Sequence, residues 1–165
     1  WGNTREEDTV TIALEHTSTT GTSHLLTSQL LDRLAQRITA DHPDIDTPLA
    51  RRAVVQAAAF IAASGRAPDQ ALAPSPLVDI AWHTFILHTV DYAAFCERTV
   101  GRFVHHVPTD DEGALPGGPA ETRARTLAAI AMAGYSIDHE LWLEASAECS
   151  QCHAGCSDSP NTGKK

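Results

Sequence analysis

Basic residues are scarce in this 165-residue chain. Lys and Arg together number 12 against 21 Asp and Glu, which gives a formal net charge of −9 at pH 7. Nucleic acids and anionic membrane surfaces both select basic patches, so we expect neither as a partner. No apolar run approaches the roughly 20 residues that cross a bilayer, and we expect a soluble, cytoplasmic protein. The chain begins with Trp1 rather than Met, so a removed signal peptide remains an alternative.

Aromatic residues are also few, at 5%, whereas alanine is abundant, with 26 residues. Alanine is the strongest helix former, and strands favour aromatic and β-branched side chains, so the composition predicts an all-α fold. The length fits one compact domain. We expect an irregular N-terminal arm at residues 1–22, a helical domain of five to six helices at 23–147 and a polar, cysteine-containing tail at 148–165.

Hydrophobic spacing locates the individual helices. Apolar residues recur every three or four positions, and capping or helix-ending residues flank these stretches. The expected caps and stops are Ser23, Asp46 or Thr47, Gly65, Thr89 and Gly101. The predicted helices span residues 24–40, 48–64, 77–88, 90–100, 119–133 and 138–147.

The third predicted helix is apolar nearly all round, which is typical of a buried helix, yet it carries Asp79 and His83. Because they are four residues apart, the two side chains share one face of the helix. In one interpretation Asp79 simply hydrogen-bonds His83 in the core. In the other, both residues ligate a metal ion, or Asp79 orients a metal-bound His83. The spacing alone leaves both interpretations open.

His105 and His106 lie in a short apolar segment at residues 103–107. Neighbours in an extended segment point to opposite faces, so at most one of these histidines is expected to meet His83. Asp79, His83 and one of them would form a set of two histidines and one carboxylate. Such a set suits non-haem Fe(II), or Zn(II) with an open coordination position.

The same part of the chain carries a longer pattern. It consists of Pro-Ser-Pro at 74–76, Val-Asp-Ile-Ala-Trp-His-Thr at 78–84, Tyr92, Phe-Cys at 95–96 and Gly-Arg-Phe-Val-His-His-Val-Pro at 101–108. This pattern resembles the glycine-rich domain-containing protein family over residues 74–108. The resemblance maps the family's Asp, Trp, His and Cys onto Asp79, Trp82, His83 and Cys96, and it implies that Asp79 and His83 are a family feature. The glycine-rich segment is absent, and Phe85 occupies the place of a second family histidine.

Two residues of this block are expected to support the site rather than form it. We expect Trp82 to anchor the core. Cys96 lies on the inner face of the fourth predicted helix, and packing there is the expected role because a free cysteine behaves as a small apolar residue. Metal ligation by Cys96 is the alternative.

The tail contains a second candidate site, formed by Cys149, Cys152, His153 and Cys156. C-x-x-C is a common zinc half-site because a short turn directs two thiolates at one ion, and Cys156 or His153 could add ligands. The Cys149-x-x-Cys152-His153 string also matches the attachment signature for c-type haem, in which His153 would bind the haem. A disulfide or thiol redox pair, an iron–sulfur cluster and a tail with unreactive thiols are further alternatives.

Motifs for nucleotide binding, serine hydrolysis and zinc proteolysis are absent from the sequence. From the Asp and His pattern we expect a metal-binding helical protein whose site is centred on Asp79, His83 and His105 or His106. If the protein is catalytic, we expect a Zn or Fe enzyme. One alternative is a non-catalytic protein-interaction module whose tail binds zinc or forms a disulfide. The other is a c-type haem or thiol redox protein. No motif indicates a particular small-molecule or protein partner.

Overall fold

The structure, a computed structural model, describes residues 25–107 and 116–143. Within these two stretches the chain forms five α-helices and one 3-10 turn, with no strand, which confirms the all-α prediction. None of these helices combines the length and apolar character needed to cross a membrane. The helices are α1 (Ser28–Asp41), α2 (Thr47–Arg66), α3 (Pro76–Leu87), α4 (Thr89–Val100) and α5 (Gly118–Met132), and the 3-10 turn is His139–Trp142.

Helix α2 is the centre of the molecule. It contacts each of the other four helices, and its middle is buried on every face. A helix surrounded in this way must be apolar all round, and α2 meets this demand largely with alanine, which lets its neighbours approach closely. The core residues of α2 are Ala50, Ala53, Val54, Ala57, Ala58, Ala59, Phe60, Ile61, Ala62 and Ala63.

Gly65 was expected to end α2, but the helix continues to Arg66. The reason for glycine at this position is a close approach by α4 rather than a helix stop. A Cβ atom on Gly65 would lie 2.5 Å from Cγ1 of Val100, well inside van der Waals contact. The glycine therefore permits α4 to pack directly on the last turn of α2.

The caps of α1 and α4 also differ from expectation. Thr27 rather than Ser23 caps α1, through its side-chain oxygen and the backbone N–H of Leu30. Thr89 is the first residue of α4 rather than its cap, and no side chain caps that helix end. Asp46 caps α2 as predicted. Gly101 closes α4 as predicted, in the left-handed conformation with φ 74°, which glycine adopts without steric cost.

The sixth predicted helix, 138–147, is replaced in the described residues by the 3-10 turn. Side chains of α2 hold this turn in place. The amide of Gln56 accepts hydrogen bonds from the backbone N–H of Asp138 and the indole N–H of Trp142, and donates one to the carbonyl of Ser136. Arg52 binds the Asp138 carboxylate through two N–H groups. These contacts fix the turn against the core.

Candidate metal centre

Helix α3 presents Asp79 and His83 on one face, as their spacing predicts. Ser75 caps the helix by accepting a hydrogen bond from the N–H of Val78, and Pro76 occupies the first turn. Asp79 also lies in that first turn, where the helix dipole favours a carboxylate. His83 lies one turn further on, and its Nδ1 is 3.3 Å from Oδ2 of Asp79.

His106 completes the cluster from the segment that follows α4. Its Nε2 lies 3.0 Å from Oδ1 of Asp79, so the carboxylate accepts a hydrogen bond from this ring. The rings of His83 and His106 have centroids 4.4 Å apart. One ligand atom from each of Asp79, His83 and His106 can be chosen so that all three lie within 4.8 Å of one another. Two histidines and one carboxylate thus converge, an arrangement that the sequence left open.

Tyr92 in α4 connects α3 to the segment that carries His106. The indole N–H of Trp82 donates to the Tyr92 hydroxyl at 2.9 Å, and this hydroxyl donates to the carbonyl of Val104 at 2.6 Å. The Tyr92 side chain is completely buried, and burial raises the pKa of its hydroxyl far above the usual range. The hydroxyl therefore stays protonated and can serve both partners.

Trp82 connects these hydrogen bonds to the candidate site. Its ring lies against the His106 ring, with centroids 4.4 Å apart, and it packs edge-on against Phe60 of α2. Phe103 packs edge-on against the ring of Tyr92. Trp82 is a buried core residue, as predicted, and it also forms the wall against which His106 is held.

The three candidate ligands differ in their access to solvent. The side chain of His106 is 16% exposed, that of Asp79 is 33% exposed and that of His83 is 56% exposed. The cluster therefore has a buried side, formed by His106 on Trp82, and an open side at His83. An ion held there would keep contact with solvent or with a bound molecule.

The open side faces a groove of about 940 Å³. Aromatic and aliphatic side chains of α2, α3 and the segments at 67–76 and 102–107 form its walls. The polar and titratable lining residues are Ser64, Gln70, Asp79, His83, Arg102, His105 and His106. Such a combination of apolar walls and a few converging polar groups is typical of small-molecule sites.

A second cavity, of about 390 Å³, also borders the 73–76 segment. Its lining includes Pro74 and Pro76, which the groove shares, together with Pro119, Thr122 and Trp142. Among the described residues that line it, none is Asp, Glu, His or Cys. This cavity therefore offers no comparable metal-ligating chemistry, and the groove is the better candidate.

The remaining predicted site residues have different positions. His105 lines the groove with its ring against Phe103, but it does not belong to the cluster around Asp79. Cys96 is a buried free thiol in α4, in agreement with the packing role expected for it. Cys149, Cys152, His153 and Cys156 lie outside the described residues, so the zinc, haem and disulfide interpretations of the tail remain predictions.

Sequence reasoning missed three supporting residues. Tyr92 was named only as part of the pattern at 74–108, without its two hydrogen bonds, and Arg102 and Gln56 were not singled out. A signal existed for Gln56, since it is a lone amide inside the alanine-rich run of α2. No comparable signal existed for Arg102, whose Nη2 donates to the carbonyl of Gly65 only because α4 ends beside α2.

Comparison with known proteins identifies a family for this chain. The family described as UCP032817-like matches residues 21–115, a stretch that contains helices α1 to α4 and the cluster of Asp79, His83 and His106. The expected assignment to the glycine-rich domain-containing family is therefore wrong. That resemblance rested on a block of residues 74–108, whereas the match extends over the preceding helices as well. Neither the curated proteins nor the solved structures gave a match.

Proposed function

The chain belongs to the UCP032817-like family, and from its own side chains we propose that it binds one divalent transition-metal ion, Zn²⁺ or Fe²⁺, through Asp79, His83 and His106. The observation that supports this most strongly is the convergence of their three ligand atoms within 4.8 Å. The convergence joins α3 to a segment beyond α4, so it does not follow from helical spacing alone.

The distances suit a small ion. Ligand atoms about 2.0–2.1 Å from a tetrahedral Zn²⁺ are separated from each other by roughly 3.3–3.4 Å. Asp79 Oδ2 and His83 Nδ1 are 3.3 Å apart, and Asp79 Oδ1 and His106 Nε2 are 3.0 Å apart.

Three protein ligands leave at least one coordination position open. The open position would face the groove, because His83 is the exposed member of the cluster. A metal ion there would supply Lewis-acid activation of a water molecule or a substrate oxygen. We therefore propose a catalytic or ligand-binding centre rather than a closed structural site.

The competing function is an interaction module in which Asp79 is simply a shared hydrogen-bond acceptor for two imidazoles. The hydrogen bond between His106 and Asp79, together with the 3.3 Å distance from His83 Nδ1 to the same carboxylate, supports that interpretation as well. The two functions differ in one measurable property, since a shared acceptor binds no metal ion.

Elemental analysis of the full chain, purified without a tag or chelator, tests the proposal. We expect one Zn or Fe per chain, lost or strongly reduced in the variants Asp79→Asn, His83→Ala and His106→Ala. His42→Ala is the matched control, because His42 lies at the end of α1 outside the cluster, and it is expected to retain the metal.

Two outcomes would contradict the proposal. One is a chain that holds no metal after incubation with Zn²⁺ or with Fe²⁺ under reducing conditions. The other is metal that persists in all three cluster variants and disappears in the Cys149→Ser/Cys152→Ser double variant. That result would assign the metal to the tail.

A further inference from the structure

The groove beside the cluster differs from the rest of the protein in its charge. The chain as a whole carries a net charge of −9, yet Asp79 is the only carboxylate among the described residues that line the groove. The guanidinium of Arg102 and the rings of His83, His105 and His106 line it too. Arg102 already balances Asp79, so a bound divalent ion would make the groove positive on an otherwise acidic protein.

Arg102 lines the groove and is held there in a defined position. It directly follows Gly101, which closes α4, and its Nη2 donates to the carbonyl of Gly65 at 2.9 Å. This is its one hydrogen bond within the described residues, and the side chain as a whole is exposed to solvent. The other N–H groups of the planar guanidinium can therefore meet an anion with the paired geometry that carboxylates and phosphates prefer.

Ser64 lies next to this contact. It precedes the residue whose carbonyl Arg102 binds, and it lines the groove itself. Its side-chain oxygen is buried and has no hydrogen-bond partner among the described residues. Buried hydroxyls are nearly always paired, so an unpaired one in a groove wall indicates a place where a ligand oxygen completes the hydrogen bonding.

The rest of the groove lining is mainly apolar. Phe60 and Trp82 meet edge-on, and both line the groove together with Leu72 and Val104. A purely polar anion, such as inorganic phosphate, would leave these walls without a partner. A ligand with an apolar body and one anionic group would use both features.

We infer that the groove binds a small organic anion, a carboxylate or a phosphate ester with an apolar body, whose charged oxygens are held by Arg102 and Ser64. The inference builds on the proposed function, because it names the class of molecule that would lie beside the metal ion. It can nevertheless be tested separately, since Arg102 and Ser64 are not members of the Asp79 cluster.

The test is titration of the full chain with benzoate, with and without one equivalent of Zn²⁺, followed by calorimetry. Benzamide has the same shape without the charge and is expected to bind much more weakly. Phenyl phosphate in parallel shows whether the groove prefers a carboxylate or a phosphate ester. We expect Arg102→Gln to weaken benzoate binding about tenfold or more, as loss of a charge-assisted pair implies, and Ser64→Ala to weaken it about threefold.

Arg37→Gln is the matched control, because Arg37 pairs with Asp41 on the exposed face of α1, and it is expected to bind benzoate like the unmodified chain. Arg102→Lys retains the charge but not the paired geometry, and it should fall between the unmodified chain and Arg102→Gln. Thermal unfolding of each variant establishes that it is folded. If Arg102→Gln does not fold, the comparison of Arg102→Lys with Arg37→Gln decides the question.

The outcomes separate the two proposals. Benzoate binding that equals benzamide binding, or that is unchanged in the Arg102 variants, overturns the inference. Binding that requires Zn²⁺ and is insensitive to Arg102 also overturns it, because the ion alone would then hold the anion. Binding that depends on Arg102 in a chain that takes up no metal supports the anion site and contradicts the metal site.

Discussion

The carboxylate of Asp79 and the imidazole of His106 are 27 positions apart in the chain and 3.0 Å apart in space. Asp79 belongs to the first turn of α3, whereas His106 follows the glycine that closes α4. Two helices and the turn between them must therefore be in place before these groups meet. The pair is the point at which local sequence pattern and tertiary packing combine to form the candidate site.

The two histidines of the cluster are expected to differ in their effect on stability in the presence of a chelator. His106 is mostly buried against Trp82 and bonded to Asp79, so His106→Ala should lower the free energy of unfolding by about 1–3 kcal/mol. His83 is more than half exposed, so His83→Ala should cost about 0.5 kcal/mol or less. Urea unfolding measures both values, and equal losses would show that His106 is not packed as described.

Tyr92→Phe tests the two hydrogen bonds, from Trp82 to Tyr92 and from Tyr92 to Val104, that position the His106 segment. The substitution leaves the indole N–H of Trp82 and the carbonyl of Val104 without their buried partner. We expect a loss of about 1–3 kcal/mol in the free energy of unfolding, together with weaker metal binding. Tyr135→Phe makes the same chemical change at a partly exposed ring beside Arg66 and should alter stability by less than about 0.5 kcal/mol. Similar effects of the two variants would exclude a special role for the Tyr92 hydroxyl.

Gln56→Leu should release the 3-10 turn from α2. Three groups would lose their hydrogen bond to Gln56, namely the carbonyl of Ser136, the N–H of Asp138 and the indole N–H of Trp142. We expect a loss of about 2–4 kcal/mol in the free energy of unfolding and a red-shifted emission from Trp142. Gln36→Leu, on an exposed position of α1, is the control for the change in polarity. A silent Gln56→Leu variant would mean that the turn is held by other contacts.

The pair of Arg52 and Asp138 predicts a specific dependence of stability on pH. Hydrogen bonds from Arg52 lower the pKa of Asp138 below its usual value. Because the pKa is lower in the folded state, this carboxylate stabilises the fold above about pH 4, and the stabilisation is lost as the pH falls through the folded-state pKa. The unmodified chain should therefore lose more stability than Asp138→Asn between about pH 5 and pH 3.

The measurement is urea unfolding of both proteins at several pH values in that range. Asp41→Asn serves as the control, since Asp41 pairs with Arg37 in an exposed i,i+4 arrangement, where ion pairs contribute little. Parallel pH profiles for the unmodified chain and Asp138→Asn would contradict the prediction.

The local part of the site was predictable from the sequence. Asp79 and His83 share a face because four residues make about one helical turn. Because neighbouring side chains of an extended segment point to opposite faces, only one of His105 and His106 was expected to reach His83. Which of His105 and His106 reaches Asp79 was not predictable. It depends on how the chain leaves Gly101 and on the Tyr92 hydroxyl, which fixes the carbonyl of Val104.

Hydrophobic periodicity predicted where the helices lie, but it predicted their ends less accurately. Gly65 has the residue type of a helix stop, and its role as a contact for Val100 becomes visible only when α2 and α4 are placed together. The 3-10 turn likewise depends on Gln56 and Arg52, which lie 80 or more residues before the groups they bind. Pairings at that separation leave no periodic signal in the sequence.

The all-round burial of α2 has a consequence for how this protein can change during evolution. A helix at an edge can accept a larger side chain by turning it towards solvent, but the alanines at the middle of α2 have no such face. Enlarging one of them displaces a neighbouring helix, and overpacking of this kind usually costs about 1–3 kcal/mol. Sequence variation is therefore expected to concentrate at the periphery. The rim of the groove, formed by exposed residues such as Arg102, His105 and Val107, can vary while the centre of the fold stays fixed.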